Sequence, residues 1–565
     1  MKFLVVQLLY FFQNRATKRN VALLFKFFVF LGIIITIYSV IFHFLMEAEG
    51  RKFSWITGFY WTLTVMSTLG FGDITFHSDL GLFFTLLVLI SGIVLLLIVL
   101  PFSFIQFFYA PWLDAQSKAR APKKLPEDTK DHIIITHMSV TTQELVKKLT
   151  KLGYEYVLIV NDLQEALDLH DSGYRIVLGA PDDQKTYERI RVHDAAMIVA
   201  LSDDLTNTNT SFTIREINKR VPIVTSCDHI NSLDILNFPE NMRVFQFMDM
   251  LGIDLAKRTM GGLLGTHIIS QFEDFYIAET LAADTSLVGK TIVETQLRKT
   301  TGVNIVGIWA RGVYKPPAPD IRIDKSTILL LAGSQEDLDE YDSLYTKNID
   351  PAVLEIPVLI LGGGRVGKAA AEFLKLYNHE YIMVEKNKGT AKKHKNCING
   401  DAADINTLKR AGIDKAKSVI ITTHDDAMNI YLTFYCRQIN PSLQIISRAK
   451  EQHNVPKLHT AGGDLVLSYA TMCANAIMDQ LHPEEASIYS EGLNIFTVPI
   501  GQSLVGKTLQ TAEIREETGC SVIGFRTPET IITTPDPTLP LLSKDQLVLI
   551  GTLEAEAIFK RKYKT

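Results

Sequence analysis

At 565 residues, 47% hydrophobic and 21% charged, the chain is too long for one domain and suits about three or four. A formal net charge of −5 excludes a protein built to grip nucleic-acid phosphates, which needs a basic face. The five cysteines (Cys227, Cys397, Cys436, Cys473, Cys520) form no C-x-x-C pair, so zinc and redox-motif readings lack support. Single thiols fit a reducing cytosol, where they act as small buried apolar groups.

In chain order, Met1 to Phe12 carries Lys2 and then an apolar core without a small-residue cleavage site, so residues 1–19 read as an interfacial helix. Phe27 to Met46 and Leu80 to Leu113 contain no charged side chain, and each can span a bilayer as a helix. The second run overshoots, which suits a tilted helix continuing past the membrane face. Arg15, Lys18 and Arg19 precede the first run, and Lys118, Arg120, Lys123 and Lys124 follow the second. Both termini are therefore expected in the cytoplasm, with the chain a multi-pass protein of the cell membrane. Residues 20–113 form two transmembrane helices with a re-entrant loop, tolerable at membrane depth only when buried in protein or lining water.

That loop follows a short predicted helix, about Ser54 to Ser67, and reads Thr68-Leu69-Gly70-Phe71-Gly72-Asp73. Glycine at alternate positions admits left-handed backbone, which lets successive carbonyls face the same way. In this setting the string resembles the selectivity filter of potassium channels, where stacked carbonyls replace the water of a dehydrated K⁺. The resemblance implies four copies around an axis, with the pore-helix dipole favouring the cation. Phe71 is expected to pack outward on the pore helix, and Asp73 to close the outer mouth, bonded to Tyr60 or Trp61. Leu69 stands where the family usually has Val, which changes the packing behind the filter and not the carbonyl. Gly92, after Ser91, sits where related channels bend their inner helix; close packing is the alternative. Leu97, with Leu96 and Leu100, forms a stripe that either closes the pore by excluding water or simply packs. Pro101 removes a helix hydrogen bond and marks a bend.

Residues 114–130 are polar, with Pro122 and Pro126, and read as a linker. Beyond them, short β-branched runs alternate with helical stretches: His132–Thr136, Tyr156–Val160, Ile176–Leu178 and Ala196–Ala200. This alternation predicts a parallel doubly wound sheet over 131–272, crossover helix included. A smaller lobe follows over 273–345, with a Leu287-Val-Gly-Lys290 turn and a closing strand at Ile328–Ala332. After a second linker at 346–355 the pattern restarts: Val358–Leu361, Tyr381–Val384, Ser418–Thr422, Leu504–Lys507 and Leu547–Ile550 repeat the earlier runs. Asp203-Asp204 recurs as Asp425-Asp426. A spacing of about 220 residues is far too long for a solenoid and marks a tandem duplication, with lobes at 356–483 and 484–565. The pair resembles the RCK (regulator of K⁺ conductance, TrkA-N plus TrkA-C) family. The expected fold is an α-helical pore domain of two transmembrane helices and a re-entrant loop, followed by two α/β Rossmann-like units. Each unit ends in a small α+β C-terminal lobe.

Gly362-Gly363-Gly364-Arg365-Val366-Gly367 follows a predicted strand and opens a predicted helix, the setting that gives G-x-G-x-x-G its meaning. Gly362 permits the tight turn, Gly364 lets backbone approach a pyrophosphate, Gly367 brings helix onto sheet, and the helix N-terminus favours the anion. Arg365 adds a cation. Glu385 ends the second strand, where a carboxylate accepts from ribose hydroxyls and repels a 2′-phosphate, favouring NAD over NADP. The resemblance puts Asp401 and Ala402 near an adenine and Thr422, Thr423 and His424 beside the phosphates; ADP shares that half-site. The equivalent loop of the first unit, His137-Met-Ser-Val-Thr-Thr142, has no glycine, so its side chains crowd a pyrophosphate and a structural dimerising role is expected. Asp182-Asp183 and Asp203-Asp204 offer the oxygens a hard cation takes, and some RCK domains bind Ca²⁺ through carboxylates; a solvated surface is the alternative.

The resemblance implies a homotetramer in the lipid bilayer, its eight RCK units forming a cytosolic ring that gates K⁺ flow on binding NAD or ADP, with Ca²⁺ a further candidate. A membrane-anchored NAD-dependent oxidoreductase would need an acid or base facing the nicotinamide. His137, His193, His424 and His453 form no recognisable pair with Asp or Arg, so no enzyme is expected. A regulatory subunit of a K⁺ transporter would lack its own filter.

Overall fold

The structure is a computed structural model that describes residues 15–110, 113, 120–260, 265–272, 275–283, 285–310, 313–325, 327–345, 356–481, 493–527, 531–532, 536 and 538–563. The expectations for residues 1–14, 114–119 and 346–355 lie outside the described residues.

Three helices make the membrane part: α1 (Arg15–Ala48), α2 (Trp55–Met66) and α3 (Asp79–Gly92). Ala22–Ala48 and Asp79–Phe104 are long and apolar enough to cross a membrane, with mean hydropathy 2.4 and 3.1. Residues 15–19, expected in a separate interfacial helix, are the first turn of α1. Ser54 caps α2 by accepting from the Thr57 amide, and Ser78 caps α3 by accepting from Gly81. Past Gly92 the helix widens into π-type turns over Ile93–Val99 and again over Ile105–Tyr109, around a short α-helical stretch, Leu100–Phe104. These wide turns flank Pro101, which can neither donate an amide hydrogen nor fit its ring against the preceding carbonyl. The proline is thus absorbed within a continuous helix. Phe42, Trp61, Phe76 and Phe84 form an aromatic core between the three helices, with Phe42 stacked on Trp61 at 4.9 Å.

The first Rossmann-type lobe pairs β1 (His132–Ile135) with β2 (Tyr156–Val160) on one side and β3 (Ala195–Ala200) on the other, followed outward by β4 (Ile223–Ser226) and β5 (Met242–Phe245), all parallel. The expected strand at Ile176–Leu178 forms as well. Three helices of this unit matter below: α4 (Val140–Lys151), α5 (Asp204–Ile217) and the crossover helix α6 (Phe247–Thr259). An antiparallel sheet then takes the order β9-β8-β10-β7-β6, where β6 is His267–Phe272, β7 Phe275–Leu281, β8 Asn304–Ala310, β9 Val313–Lys315 and β10 Thr327–Gly333.

The second unit repeats the plan. Its six-stranded parallel sheet runs β13-β12-β11-β14-β15-β16, with β11 Val358–Leu361, β12 Tyr381–Glu385, β13 Cys397–Asn399, β14 Ser418–Ile421, β15 Gln444–Ala449 and β16 Leu465–Ser468. Helix α7 (Arg365–Leu376) follows β11, α8 (Asp426–Ile439) follows β14, and α9 (Tyr469–Met478) is the crossover helix. The small lobe is a four-stranded sheet, β17-β20-β18-β19, with β17 Leu493–Pro499, β18 Ser521–Arg526, β19 Ile531–Ile532 and β20 Gln546–Thr552.

The two units pack reciprocally: α6 of the first lies on α7 of the second, and α9 of the second lies on α4 of the first. Gly252 of α6 brings the helices so close that a Cβ there would overlap the Val366 carbonyl. Leu251, Leu255, Val366, Ala370 and Leu374 share one buried cluster across this contact. The helix that opens at the second glycine loop is therefore part of the joint between the units.

Candidate functional site

The end of α2 and the loop after it make the first site. Thr68, Gly70 and Gly72 have φ of +62°, +43° and +75°, and the Leu69 and Gly70 amides both donate to the Thr64 carbonyl at 2.9 and 3.1 Å. A Cβ on Gly70 or Gly72 would meet nothing within 4 Å, so the backbone angle and not crowding calls for glycine. Phe71 stacks on Tyr60 with rings 6.5 Å apart and 7° from parallel. Tyr60 donates its hydroxyl to Asp73 at 3.2 Å, while Trp61 donates Nε1 to the Ile74 carbonyl at 3.1 Å, which separates the two donors the sequence left open. Two further anchors escaped the sequence reading. Glu49 accepts from the His77 and Ser78 amides and the Ser78 hydroxyl, and Arg51 donates to the Thr75 carbonyl at 2.6 Å. Their signal was isolated charge at the edge of an uncharged run. Gly92 is buried, and a Cβ there would overlap the Met66 backbone, so the geometry assigns it to close packing. Leu96 packs on the pore core, whereas Leu97 is exposed in the single chain.

The second site lies at the C-terminal ends of β11 and β14, where the strand order reverses. Gly362 has φ +114°, and a Cβ on Gly367 would overlap the Gly362 carbonyl, so helix and turn touch as the motif requires. Gly364 is the N-cap of α7 and no side chain caps that helix. A Cβ at Gly364 would meet only His424, at 3.5 Å from Nε2, so the cradle above the helix N-terminus is open. Glu385 accepts from the Gly363 amide at 2.6 Å and the Asn387 amide at 2.7 Å. A carboxylate has room for about four hydrogen bonds, so ribose hydroxyls can still donate to it. Lys386 pairs with Asp401 at 2.8 Å, an ion pair that holds the Asp401 carboxyl below its usual range. Ala402 follows in the same turn, closed by the Ala403 amide on Asp401.

The Thr422 hydroxyl donates to the Leu361 and Gly362 carbonyls, and the Thr423 hydroxyl to Asn429 Oδ1 at 2.6 Å. Both hydroxyls already donate within the protein, so neither offers a free proton to the open side of the loop. His424 does flank that side. Burial first, then the charges of Arg448 and Arg365, keep its imidazole below its ordinary pKa. Arg448, at the end of β15, is 2% exposed, and among the described residues its Nε and Nη1 have no hydrogen-bond partner. A buried cation with unmet donors beside His424 and Arg365 is suited to an anion. The sequence carried one hint of it, an arginine in an otherwise uncharged strand.

In the first unit Ser139 stands where Gly364 stands in the second. Ser139 accepts from the Thr142 amide at 3.2 Å, and the Thr142 hydroxyl oxygen accepts in turn from the Ser139 amide at 2.6 Å. This capping box consumes the donors that α7 leaves open. The acidic pairs are also accounted for. Asp183 and Asp203 are helix N-caps, and Asp204 accepts from the Asp228 and His229 amides at 2.6 and 3.0 Å. Asp426 repeats this with Lys450 and Glu451 at 2.7 and 3.1 Å. Asp182 is exposed, and among the described residues no group of three or more His, Cys, Asp or Glu could hold a metal ion.

A helix pair with a filter-type loop, followed by a duplicated Rossmann-type unit with its small antiparallel lobe, defines an ion channel with regulatory domains. The ion channel family matches residues 27–108, the TrkA-N domain matches 133–238 and 358–469, and the TrkA-C domain matches 276–345 and 493–562. Potassium channel protein 1 of Methanocaldococcus jannaschii is 28% identical over 218 residues, covering 36% of this chain and 65% of the relative. Probable potassium channel protein 2 of the same organism is 29% identical over 237 residues, covering 36% and 67%. The solved structure of the GsuK channel is 33% identical with a TM-score of 0.57, covering 96% of this chain and 99% of that one. A second structure, the GsuK channel bound to NAD, has the same identity and TM-score, covering 97% and 100%. The chain belongs to the family of potassium channels that carry RCK (TrkA-N plus TrkA-C) domains, and it is a membrane protein.

Proposed function

We propose that the protein conducts K⁺ across the cell membrane as a homotetramer, with both termini in the cytoplasm. Its eight RCK units form a ring that opens or shuts the pore on binding nucleotide at the second glycine loop. One observation carries the ion selectivity: left-handed backbone at Thr68, Gly70 and Gly72, held by the Tyr60–Asp73 bond and the Tyr60–Phe71 stack. Four such loops around an axis supply the carbonyl cages that a dehydrated K⁺ needs. Leu97, exposed in the single chain, lines the cytosolic half of the pore and closes it by excluding water.

NAD suits the loop. The uncapped N-terminus of α7 takes the pyrophosphate, Arg365 and Arg448 supply positive charge, His424 flanks the cradle, and Glu385 receives ribose hydroxyls. Asp401 and Ala402 border the adenosine end, so ADP fits the same half-site. Lys386, already engaged by Asp401, is not free to attract a 2′-phosphate. NAD in the GsuK structure supports this reading. The first unit, with its N-terminus capped by Ser139, serves as the structural half of the pair, and its acidic pairs support helix caps in preference to Ca²⁺.

Transmission follows from packing, because α7 is wedged against Gly252 of α6 and a shift at the loop moves the joint between the units. Moving a pore from 1% to 99% open takes about 5.5 kcal/mol of differential binding. Spread over four equivalent sites, that is about 1.4 kcal/mol each, or roughly tenfold tighter binding to the favoured state. Planar-bilayer recording with NAD or ADP added to the cytosolic side tests the proposal. Current that ignores both would remove the nucleotide from it.

A further inference from the structure

Arg365 sits on the glycine loop of the second unit, yet its guanidinium is held by the first. Nη1 lies 2.5 Å from Asp228 Oδ1 and donates to the Asp228 carbonyl at 3.2 Å. Asp228 is not a loose surface residue. It follows β4, and its amide is fixed by the Asp204 carboxylate at 2.6 Å, which aims the loop at the joint between units. The two side chains are each 39% exposed, so the pair is open to exchange and an incoming anion can reach it. Among the described residues the buried Arg448 forms no ion pair of this kind, although the Asp426 carboxylate is near enough to favour its charge, and its Nε and Nη1 are unpartnered. The cations beside the glycine loop thus divide into one already neutralised by a carboxylate of the first unit and one that is not. A diphosphate on the α7 N-terminus carries the same charge sign and acceptor geometry as a carboxylate and prefers arginine forks.

Resting on the nucleotide reading of the glycine loop, we propose that Asp228 is a built-in competitor of the nucleotide's diphosphate for Arg365. Binding transfers Arg365 from the first unit to the ligand and so breaks a tie between the units, while the buried Arg448 adds its positive charge from within the fold. Asp228 therefore sets the affinity of a site on the other unit. It also makes occupancy and inter-unit contact mutually exclusive at this point, a linkage that is reciprocal by thermodynamic necessity.

The test is calorimetric titration of the full chain in detergent with ADP, and with adenosine as a probe lacking phosphate. Asp228→Asn keeps the side-chain volume and the amide held by Asp204. It is expected to tighten ADP by about two- to fivefold, the worth of a partly exposed ion pair, and to leave adenosine unchanged. Arg365→Gln weakens ADP, and in that background Asp228→Asn has no further effect. If Asp228→Asn leaves ADP affinity unchanged or lowers it while Arg365→Gln still weakens ADP, the competition is wrong and the nucleotide site stands. If the unaltered chain takes up neither ADP nor NAD, the site reading and the competition both fall.

Discussion

Gly364→Asp separates ligand binding from folding at one atom. The residue is the N-cap of α7 with φ −68° and ψ −171°, which any residue adopts. A Cβ there makes only an ordinary contact, 3.5 Å from His424 Nε2. Aspartate is a better N-cap than glycine by a few tenths of a kcal/mol, so the helix gains slightly. The ligand loses twice. The new carboxylate takes amides that the diphosphate uses, as Ser139 does in the first unit. It also places like charge about 5 Å from a phosphate, which at an effective dielectric of about 20 costs about 3 kcal/mol, or a factor of roughly 100 in affinity. Gly364→Ala adds the Cβ without the charge, so it reports crowding of the pyrophosphate alone and is expected to weaken binding less than the Asp variant does. Titration with ADP and NAD, run beside thermal melts, gives both readouts, and single-channel conductance should not change. Binding that survives in the Asp variant would refute the placement of the diphosphate. So would binding lost in step with a falling melting temperature.

Three further outcomes follow from the geometry. Tyr60→Phe removes the hydrogen bond to Asp73 while keeping the stack on Phe71, so K⁺ current persists and Na⁺ permeability, read from reversal potentials, rises. Gly92→Ala drives a methyl group into the Met66 backbone, which no side-chain change relieves; the pore loses thermal stability and current, and Met66→Ala does not restore either. His424 is held below its ordinary pKa by burial and by Arg448 and Arg365, so it is neutral at neutral pH. A bound diphosphate raises that pKa, so binding takes up a proton and ADP affinity climbs as pH falls from about 7.5 towards about 5.5. His424→Gln should flatten the profile, and a profile in that variant as steep as in the unaltered chain would exclude the histidine.

What the sequence revealed depended on whether the requirement was local. Gly70, Gly72, Gly362 and Gly367 answer to backbone angles and near neighbours, so both loops could be placed from the residues alone. The duplication was visible because each unit repeats its strand pattern. What escaped was set by distant partners. Whether Tyr60 or Trp61 reaches Asp73 depends on the rotation of α2, and the Thr422 and Thr423 hydroxyls are taken up by the Gly362 carbonyl and Asn429. Asp204 looked like a metal ligand until its carboxylate met the Asp228 and His229 amides, which lie beyond the next strand. Arg448 gave almost no sign, since its neighbours come from separate segments of the fold. Gly92 was ambiguous between bending and packing until Met66 lay against it.

The central claim is a K⁺ pore answering to a nucleotide on its second RCK unit, and bilayer recording under a K⁺/Na⁺ gradient tests it most directly. The expected result is a reversal potential close to that of K⁺, with open probability that changes when NAD or ADP reaches the cytosolic face and does not change in Gly364→Asp. A reversal potential near zero under that gradient, or gating by nucleotide that persists unaltered in Gly364→Asp, would contradict it.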